Sequence, residues 1–144
     1  MPDAAGQHVH SLAVRVYYED TDAGGIVYYA NYLKYAERAR TELLRSHGIE
    51  NGALLRSDRV AFAVKSCSAD YIKPARLDDA LDVRTTVTRV AGASLVMHQD
   101  ICRDDTTLVA IDVRLACMDI DSGAPVRLPD VVRDALRNDV GQGV

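Results

Sequence analysis

Three carboxylates lie close together near the amino end of the chain, directly before two glycines. Glu19, Asp20 and Asp22 follow a short alternating apolar segment, and Gly24 and Gly25 come next. A helix is predicted to begin a few residues later, and the free N–H groups at a helix start favour negative charge nearby. A carboxylate beside such donors can act as a base or a nucleophile, while the donors stabilise an oxyanion. This segment is therefore the candidate site of chemistry.

Three interpretations fit a D-x-D pattern followed by glycines. A calcium loop beginning at Asp20 fails, because Asn31 stands where a bidentate glutamate is needed. A phosphatase with an aspartate nucleophile needs a parallel α/β sheet, and this chain has one long helix followed by consecutive strands, so this alternative is weak. Hydrolysis of a thioester needs only a carboxylate and an oxyanion donor, since the thiol that leaves has a pKa of about 8.5.

Two kinds of periodicity place this segment between a strand and a helix. Alternating apolar residues predict five strands, over 12–18, 60–72, 81–88, 95–101 and 109–117. A helical stripe that includes Tyr28, Tyr32 and Tyr35 predicts a helix over 31–47, with Asn31 as N-cap. A short helix is predicted from Pro129 to Asn138.

The predicted elements also indicate where nearby residues lie. Tyr29 falls off the apolar stripe and can face a cleft, and Gly48 stands where a helix-ending glycine belongs. His47 is placed to cap the carboxyl end of the helix, and His98 is placed on the sheet surface. One helix covers only one face of a five-stranded sheet, so burial of the other face predicts a homo-oligomer.

Length and composition bound the function further. The chain has 144 residues and predicts one domain over 1–144, with loose tails at 1–10 and 139–144. A formal net charge of −4 argues against a nucleic-acid partner. No apolar run reaches the roughly 18 residues of a membrane helix, so stable membrane insertion is not expected. A secretory leader is not expected either, and the expected location is the cytoplasm.

The cysteines and histidines give no metal or disulfide pattern. Three cysteines are an odd number and contain no C-x-x-C pair. His8 and His10 form an H-x-H pair, but we assign them to the amino-terminal tail rather than to a metal site. We therefore expect no metal and no cofactor.

The segment that carries the carboxylates resembles a known enzyme family over a long string. Residues 17–32 (YYEDTDAGGIVYYANY) and 35–41 (YAERART) are similar to the hydroxybenzoyl-CoA thioesterase family, and within it to the acyl-CoA thioesterases associated with the Tol-Pal cell-envelope system. Further similarity lies at 59–62 (RVAF), 74–79 (PARLDD) and 94–96 (SLV). The resemblance covers about residues 12–120.

The resemblance implies an α+β hotdog fold, in which a five-stranded antiparallel sheet wraps a long central helix and a short C-terminal helix follows. It implies an acyl-CoA substrate with a small to medium acyl group, and a homodimer or homotetramer. The second acid of D-x-D is catalytic in this family and corresponds to Asp22, and the oxyanion donor corresponds to the backbone N–H of Tyr29. Glu19 and Asp20 are then structural.

This chain departs from the family pattern at two positions. The Tol-Pal-associated branch has a histidine where Tyr29 stands here. The turn before Ser94 is Ala91-Gly92-Ala93, where relatives that act on aromatic acyl-CoAs place basic residues for the coenzyme A phosphates. The candidate substrate-binding residues are therefore Ser94, Arg89, Arg76, Lys73 and Arg59. The missing histidine leaves one alternative open, a non-catalytic acyl-CoA-binding or envelope scaffold protein.

Overall fold

The computed structural model describes residues 8–140 and contains a five-stranded sheet with three helices in that range. The strands are β1 (Val9–Arg15), β2 (Val60–Tyr71), β3 (Ala80–Val90), β4 (Ser94–Arg103) and β5 (Thr106–Asp119). The helices are α1 (Asn31–Ser46), α2 (Asn51–Ser57) and α3 (Asp130–Asp139). The strand order is β1-β3-β4-β5-β2, and every paired neighbour is antiparallel. The predicted α+β architecture is confirmed, with one long helix, an antiparallel sheet and a short C-terminal helix.

Helix α1 lies against the concave face of the sheet because its apolar residues recur three and four positions apart. Its buried residues include Tyr32, Tyr35, Ala39 and Leu43. The amino-terminal half of α1 belongs to a core that includes Val83, Ile101 and Ile111. The carboxyl-terminal half belongs to a second core that also takes in Leu136 of α3. Tyr28, predicted to be in the core, precedes the helix and is exposed.

A chain of buried polar groups also joins α1 to the sheet. Gln99 of β4 is fully buried, and its Nε2 donates to the carbonyl oxygen of Ala36 and to Oγ1 of Thr85, both at 2.9 Å. Nη1 of Arg40 donates to Oε1 of Gln99 at 3.0 Å. The sequence pattern places Arg40 on the solvated face of the helix, whereas the structure half-buries it, and this burial lowers the pKa of its guanidinium.

The sheet face that points away from α1 is polar rather than apolar. Nδ1 of His98 lies 2.8 Å from Oδ1 of Asp112, and Nε2 lies 2.9 Å from Oδ1 of Asp100. Arg84 pairs with Asp82 on the same face. The bare apolar face expected from the sequence is therefore not present. Large exposed apolar side chains lie instead along β2 and just after it, at Val64, Tyr71 and Ile72.

Both predicted tails are shorter than expected. β1 begins at Val9, and the His8 N–H donates to the carbonyl oxygen of Asp139 at 3.0 Å. Asp139 is the last residue of α3 and is buried, and its Oδ2 lies 2.7 Å from Nε2 of His47. The His47 ring thus contacts α3 instead of capping the carbonyls of α1. The rest of the predicted tails, 1–7 and 141–144, lies outside the described residues.

Two further features differ from the sequence prediction. Tyr18, predicted at the end of the first strand, belongs to a single 3-10 turn over Tyr18–Asp20. Helix α2 was not predicted, since it is only seven residues long and buries only Leu54. Among residues 8–140, no helix is both long and apolar enough to cross a bilayer.

Candidate active site

The loop between β1 and α1 folds back on itself and holds the predicted catalytic carboxylate. The Asp22 N–H donates to the carbonyl oxygen of Ile26 at 2.9 Å, and the Tyr28 N–H donates to that of Asp20 at 3.0 Å. Nδ2 of Asn31 donates to the same Asp20 oxygen at 2.8 Å. Asn31 thus ties the loop to the helix. It is the first residue of α1 rather than its N-cap as predicted, and Ala30 is the N-cap residue.

The two glycines have different functions in this loop. Gly25 has φ of +77°, a conformation that residues with a Cβ rarely adopt. The Gly24 N–H donates to Oδ1 of Asp22 at 2.8 Å, and a Cβ on Gly24 would lie 3.3 Å from this oxygen. Asp22 is exposed, and within residues 8–140 its Oδ2 forms no hydrogen bond with the protein. The loop thus orients one carboxylate oxygen and leaves the other available.

The backbone N–H of Tyr29 is also available. The N–H groups of Tyr28 and Asn31 donate within the loop, whereas that of Tyr29 has no acceptor in the part of the chain that the structure describes. It lies two residues before α1, where the helix dipole contributes partial positive charge. This is the type of donor that stabilises an oxyanion.

An aromatic groove of about 310 Å³ lies beside this donor. Tyr29, Tyr32 and Tyr71 line it together with Val27 and Ile72, and Lys73 is its charged lining residue. The Tyr71 ring centroid lies 6.0 Å from that of Tyr29 and 5.8 Å from that of Tyr32. The off-stripe position predicted for Tyr29 is confirmed, since its side chain is 60% exposed and faces the groove. We call this space the aromatic groove.

Tyr32 forms the buried side of the aromatic groove. Its hydroxyl accepts a hydrogen bond from the Ala75 N–H at 3.0 Å, and the Val27 N–H donates to the carbonyl oxygen of Ala75. Burial raises the pKa of the Tyr32 phenol, and the negative charge of Asp22 acts in the same direction. The Asp22 carboxylate is therefore close enough to the groove to influence its electrostatics.

Asp20 holds the loop rather than facing the groove. Its Oδ2 accepts a hydrogen bond from the Tyr17 N–H at 2.8 Å. Burial, and then the Asp20 carboxylate, raise the pKa of the Tyr35 phenol, so the two side chains are neighbours. These contacts support a structural function for Asp20.

Within one chain, the predicted substrate-binding residues fall into two groups. Lys73 lines the aromatic groove, and Arg76 forms an isolated antiparallel β-bridge with Ile26 of the loop between β1 and α1. Ser94 lies opposite Ala116 on β5, whereas Tyr71 lies opposite Val109. Those β5 positions are about 23 Å apart at roughly 3.3 Å per residue. Ser94 is thus at the other end of the sheet from Asp22.

Arg89 and Arg59 share that distant end. Arg89 pairs with Val96 next to the β3–β4 turn, and Nη2 of Arg59 lies 2.6 Å from Oδ1 of Asp121. Sequence reasoning missed Tyr71, whose signal was its aromatic type at the end of the predicted strand, just before Lys73-Pro74. Among residues 8–140, no three histidine, cysteine or acidic side chains are grouped so that they could hold a metal ion.

Comparison with known proteins agrees with the fold and with the sequence resemblance. Residues 16–136 match the thioesterase-like superfamily. The acyl-CoA thioesterase YbgC of Haemophilus influenzae is 44% identical over 128 residues, covering 89% of this chain and 94% of the relative. The acyl-CoA thioester hydrolase YbgC of Escherichia coli O157:H7 is 48% identical over 117 residues, covering 81% and 87%.

A solved structure gives the same result. A probable thioesterase from Bartonella henselae superposes with a TM-score of 0.82 at 35% identity, covering 85% of this chain and all of the other. The resemblance found in the sequence is confirmed at the level of the superfamily. This chain belongs to the thioesterase-like superfamily.

Proposed function

We propose that this protein is an acyl-CoA thioesterase that hydrolyses small to medium acyl-CoAs. One observation carries the proposal: Asp22, with one free carboxylate oxygen, shares the loop between β1 and α1 with the Tyr29 N–H, which has no acceptor within residues 8–140. The names of the relatives that are 44% and 48% identical support the same reaction.

The reaction needs few groups. The thioester carbonyl accepts a hydrogen bond from the Tyr29 N–H, which stabilises the oxyanion that forms when the carbonyl carbon is attacked. Asp22 either removes a proton from the attacking water or attacks the carbon itself, forming an anhydride that water then opens. In the first route the C–S bond breaks after water has added, and in the second it breaks as the anhydride forms. In both, the thiolate takes up the proton that the water gives up. Because the donor is a backbone group, the phenol at position 29 does not remove it.

The D-x-D phosphatase alternative loses its structural basis, because the observed sheet is antiparallel throughout its paired strands. The proposed hydrolysis uses no metal and no cofactor. We further propose one functional domain over 1–144, located in the cytoplasm. A link to the Tol-Pal system rests on the sequence resemblance alone.

We also propose that the working form is a homodimer, or a homotetramer built from it. β2 lies at the edge of the sheet and is 12 residues long, and exposed apolar side chains such as Val64 lie along it. Pairing two β2 strands antiparallel about a two-fold axis would bring the Ser94 end of one copy towards the Asp22 end of the other. This would reunite the two groups of predicted substrate-binding residues.

The first test replaces the proposed catalytic carboxylate. Asp22→Asn keeps the size of the side chain and its hydrogen bond from Gly24, so the fold should persist while turnover falls by about 10²–10⁴-fold. Release of coenzyme A from a panel of acyl-CoAs is measured with a thiol-reactive dye. Asp134→Asn, at an exposed position on α3, is the matched control and should retain wild-type turnover.

Unchanged turnover in Asp22→Asn would overturn the assignment of Asp22. Tight binding of acyl-CoA by the wild-type protein without any release of thiol would favour the non-catalytic binding or scaffold alternative.

A further inference from the structure

The side chains of β2 that face α1 do not follow a simple alternation. The register with β5 shifts between Val64 and Ser66, which leaves Lys65 as an extra residue in a β-bulge. Before the bulge, Phe62 packs on the core that contains Leu43, and after it Ala69 packs on the core that contains Tyr35. The bulge therefore puts even-numbered residues before it and odd-numbered residues after it on the same side of β2, the side that faces α1, where they form one strip.

This strip connects two cavities at opposite ends of α1. We call the strip, made of Phe62, Val64, Cys67, Ala69 and Tyr71, the β2 strip. At one end lies the aromatic groove. At the other is a cavity of about 370 Å³, whose apolar lining includes Leu44, Phe62, Val64, Leu95, Met97 and Leu115. Between them, Cys67 is close enough to Arg40 to influence the pKa of its guanidinium.

Tyr71 is the residue of the β2 strip that borders the aromatic groove. Its ring makes an edge contact with Tyr29 at an interplanar angle of 88° and a tilted contact with Tyr32 at 49°. Both centroid distances lie in the range where aromatic rings attract each other. The ring is thus held in place even though the residue is 48% exposed.

Building on the proposed function, we propose that Tyr71 determines acyl-chain length: its ring closes the aromatic groove on the side of the β2 strip and restricts the enzyme to short acyl groups. Tyr29 and Tyr71 both line the groove, so an acyl chain whose carbonyl accepts from the Tyr29 N–H can extend along the groove towards Tyr71. The groove is small, at about 310 Å³, so it favours a short acyl chain over a long one.

The chemistry of the groove defines the substrate class more narrowly. Apart from Lys73, its lining is aromatic or aliphatic. An uncharged, short apolar acyl group fits this lining. A longer chain would have to pass the Tyr71 ring and continue along Ala69 and Cys67 towards the second cavity.

The experiment compares chain-length profiles. The kcat/KM values for butyryl-, octanoyl- and dodecanoyl-CoA are measured for the wild type and for Tyr71→Ala. Because single methylenes change kcat/KM by about 10-fold or more in a fitted apolar pocket, the ratio of dodecanoyl- to butyryl-CoA should rise at least about 10-fold in Tyr71→Ala. Tyr71→Phe keeps the ring and should keep the wild-type ratio. Val131→Ala, which truncates an exposed apolar side chain on α3 that does not line the groove, is the control.

Binding of non-hydrolysable thioether analogues, followed by calorimetry, separates this proposal from the catalytic one. If Tyr71→Ala folds, as judged by thermal melting, and its ratio and analogue affinities match the wild type, Tyr71 does not determine chain length. A wild type that already prefers dodecanoyl-CoA would also overturn the proposal. A wild type that releases no thiol from any acyl-CoA contradicts the proposed function, and the analogue affinities then still decide the function of Tyr71.

Discussion

At the scale of single residues, the loop between β1 and α1 shows how backbone groups can orient a side chain. One N–H, from Gly24, holds Oδ1 of Asp22, and the absence of a Cβ at position 24 keeps the space next to that oxygen open. The Tyr29 N–H lies close to the start of α1, where its charge is reinforced by the helix. Neither feature depends on the side chain at position 29, which explains how the site tolerates a tyrosine there.

Two histidines outside the site should give the stability opposite dependences on pH. Burial, followed by the neighbouring His8 and His47, lowers the pKa of His10 despite Glu42 and Asp139, and Nδ1 of His10 is buried without a hydrogen-bond partner among residues 8–140. Burial also acts to lower the pKa of His98, but the carboxylates of Asp112 and Asp100 outweigh it and raise that pKa.

The sign of each pH dependence is set by whether the folded or the unfolded state binds the proton more tightly. The raised pKa of His98 stabilises the fold below about pH 6.5, and this contribution is lost as the pH rises through the folded pKa. His98→Gln should therefore destabilise the fold more at about pH 5.5 than at about pH 8.5, by about 0.5 kcal/mol after solvent screening. The lowered pKa of His10 works against stability as the pH falls below about 6.5, so His10→Gln should be less harmful at the lower pH.

Urea unfolding of both variants and the wild type at the two pH values measures these differences. Equal losses of unfolding free energy at both pH values, in either variant, would contradict the assignment for that histidine.

At the scale of elements, α1 is held on the sheet by a polar connection as well as by its apolar face. Gln99 satisfies the carbonyl of Ala36 and accepts from Arg40, although it lies on a strand whose inward residues are otherwise apolar. A buried polar group of this kind is stable only while all its partners are present. The hydrogen bonds of Gln99 therefore fix the position of α1 along β4.

Removing Gln99 should be costly, and removing Arg40 as well should recover part of the loss. Gln99→Leu leaves a half-buried guanidinium and the Thr85 hydroxyl without this partner, which should lower the free energy of unfolding by about 2–3 kcal/mol. The double variant Gln99→Leu/Arg40→Met removes the unpaired charge and should be more stable than Gln99→Leu alone. Arg38→Met, on the exposed side of α1, is the control for loss of a helix arginine.

Denaturant unfolding of the wild type, Gln99→Leu, Arg40→Met and Gln99→Leu/Arg40→Met forms a double-mutant cycle. Additive losses in this cycle would show that Arg40 and Gln99 do not interact energetically.

At the scale of the whole molecule, the apolar surface that a second copy would cover lies at the edge of the sheet, not on its outer face. The outer face satisfies its own charges through His98, Asp112 and Arg84. β2 is, by contrast, a 12-residue edge strand that exposes the apolar side chains of Val64 and Tyr71, and an exposed edge can pair with a further strand.

A charge on this edge should dissociate the proposed dimer. Val64→Asp introduces a carboxylate at a position that is 52% exposed, whereas Val131→Asp makes the same change at a 58% exposed position on α3. Light scattering after size-exclusion chromatography should show a monomer for Val64→Asp and the wild-type mass for Val131→Asp. If the site is shared between copies, kcat/KM should fall about 10-fold or more only in Val64→Asp. A wild-type protein that is monomeric at micromolar concentration would contradict the proposal.

The sequence by itself determined the features that depend on local spacing. The period of the apolar residues predicted all five strands, the long helix and the short C-terminal one, because period two and period 3.6 are properties of the backbone. The string from Tyr17 to Thr41 identified the superfamily and placed Asp22 and Tyr29 together.

Only the tertiary structure decided the features that depend on contacts between distant segments. One extra residue at Lys65 reverses the alternation of β2 and turns Tyr71 towards Tyr29 and Tyr32, which a strict period of two cannot reveal. The strand register likewise separated Ser94 from Asp22, and packing against Gln99 half-buried Arg40. In each case the deciding contact joins residues far apart in sequence, so no local pattern carries it.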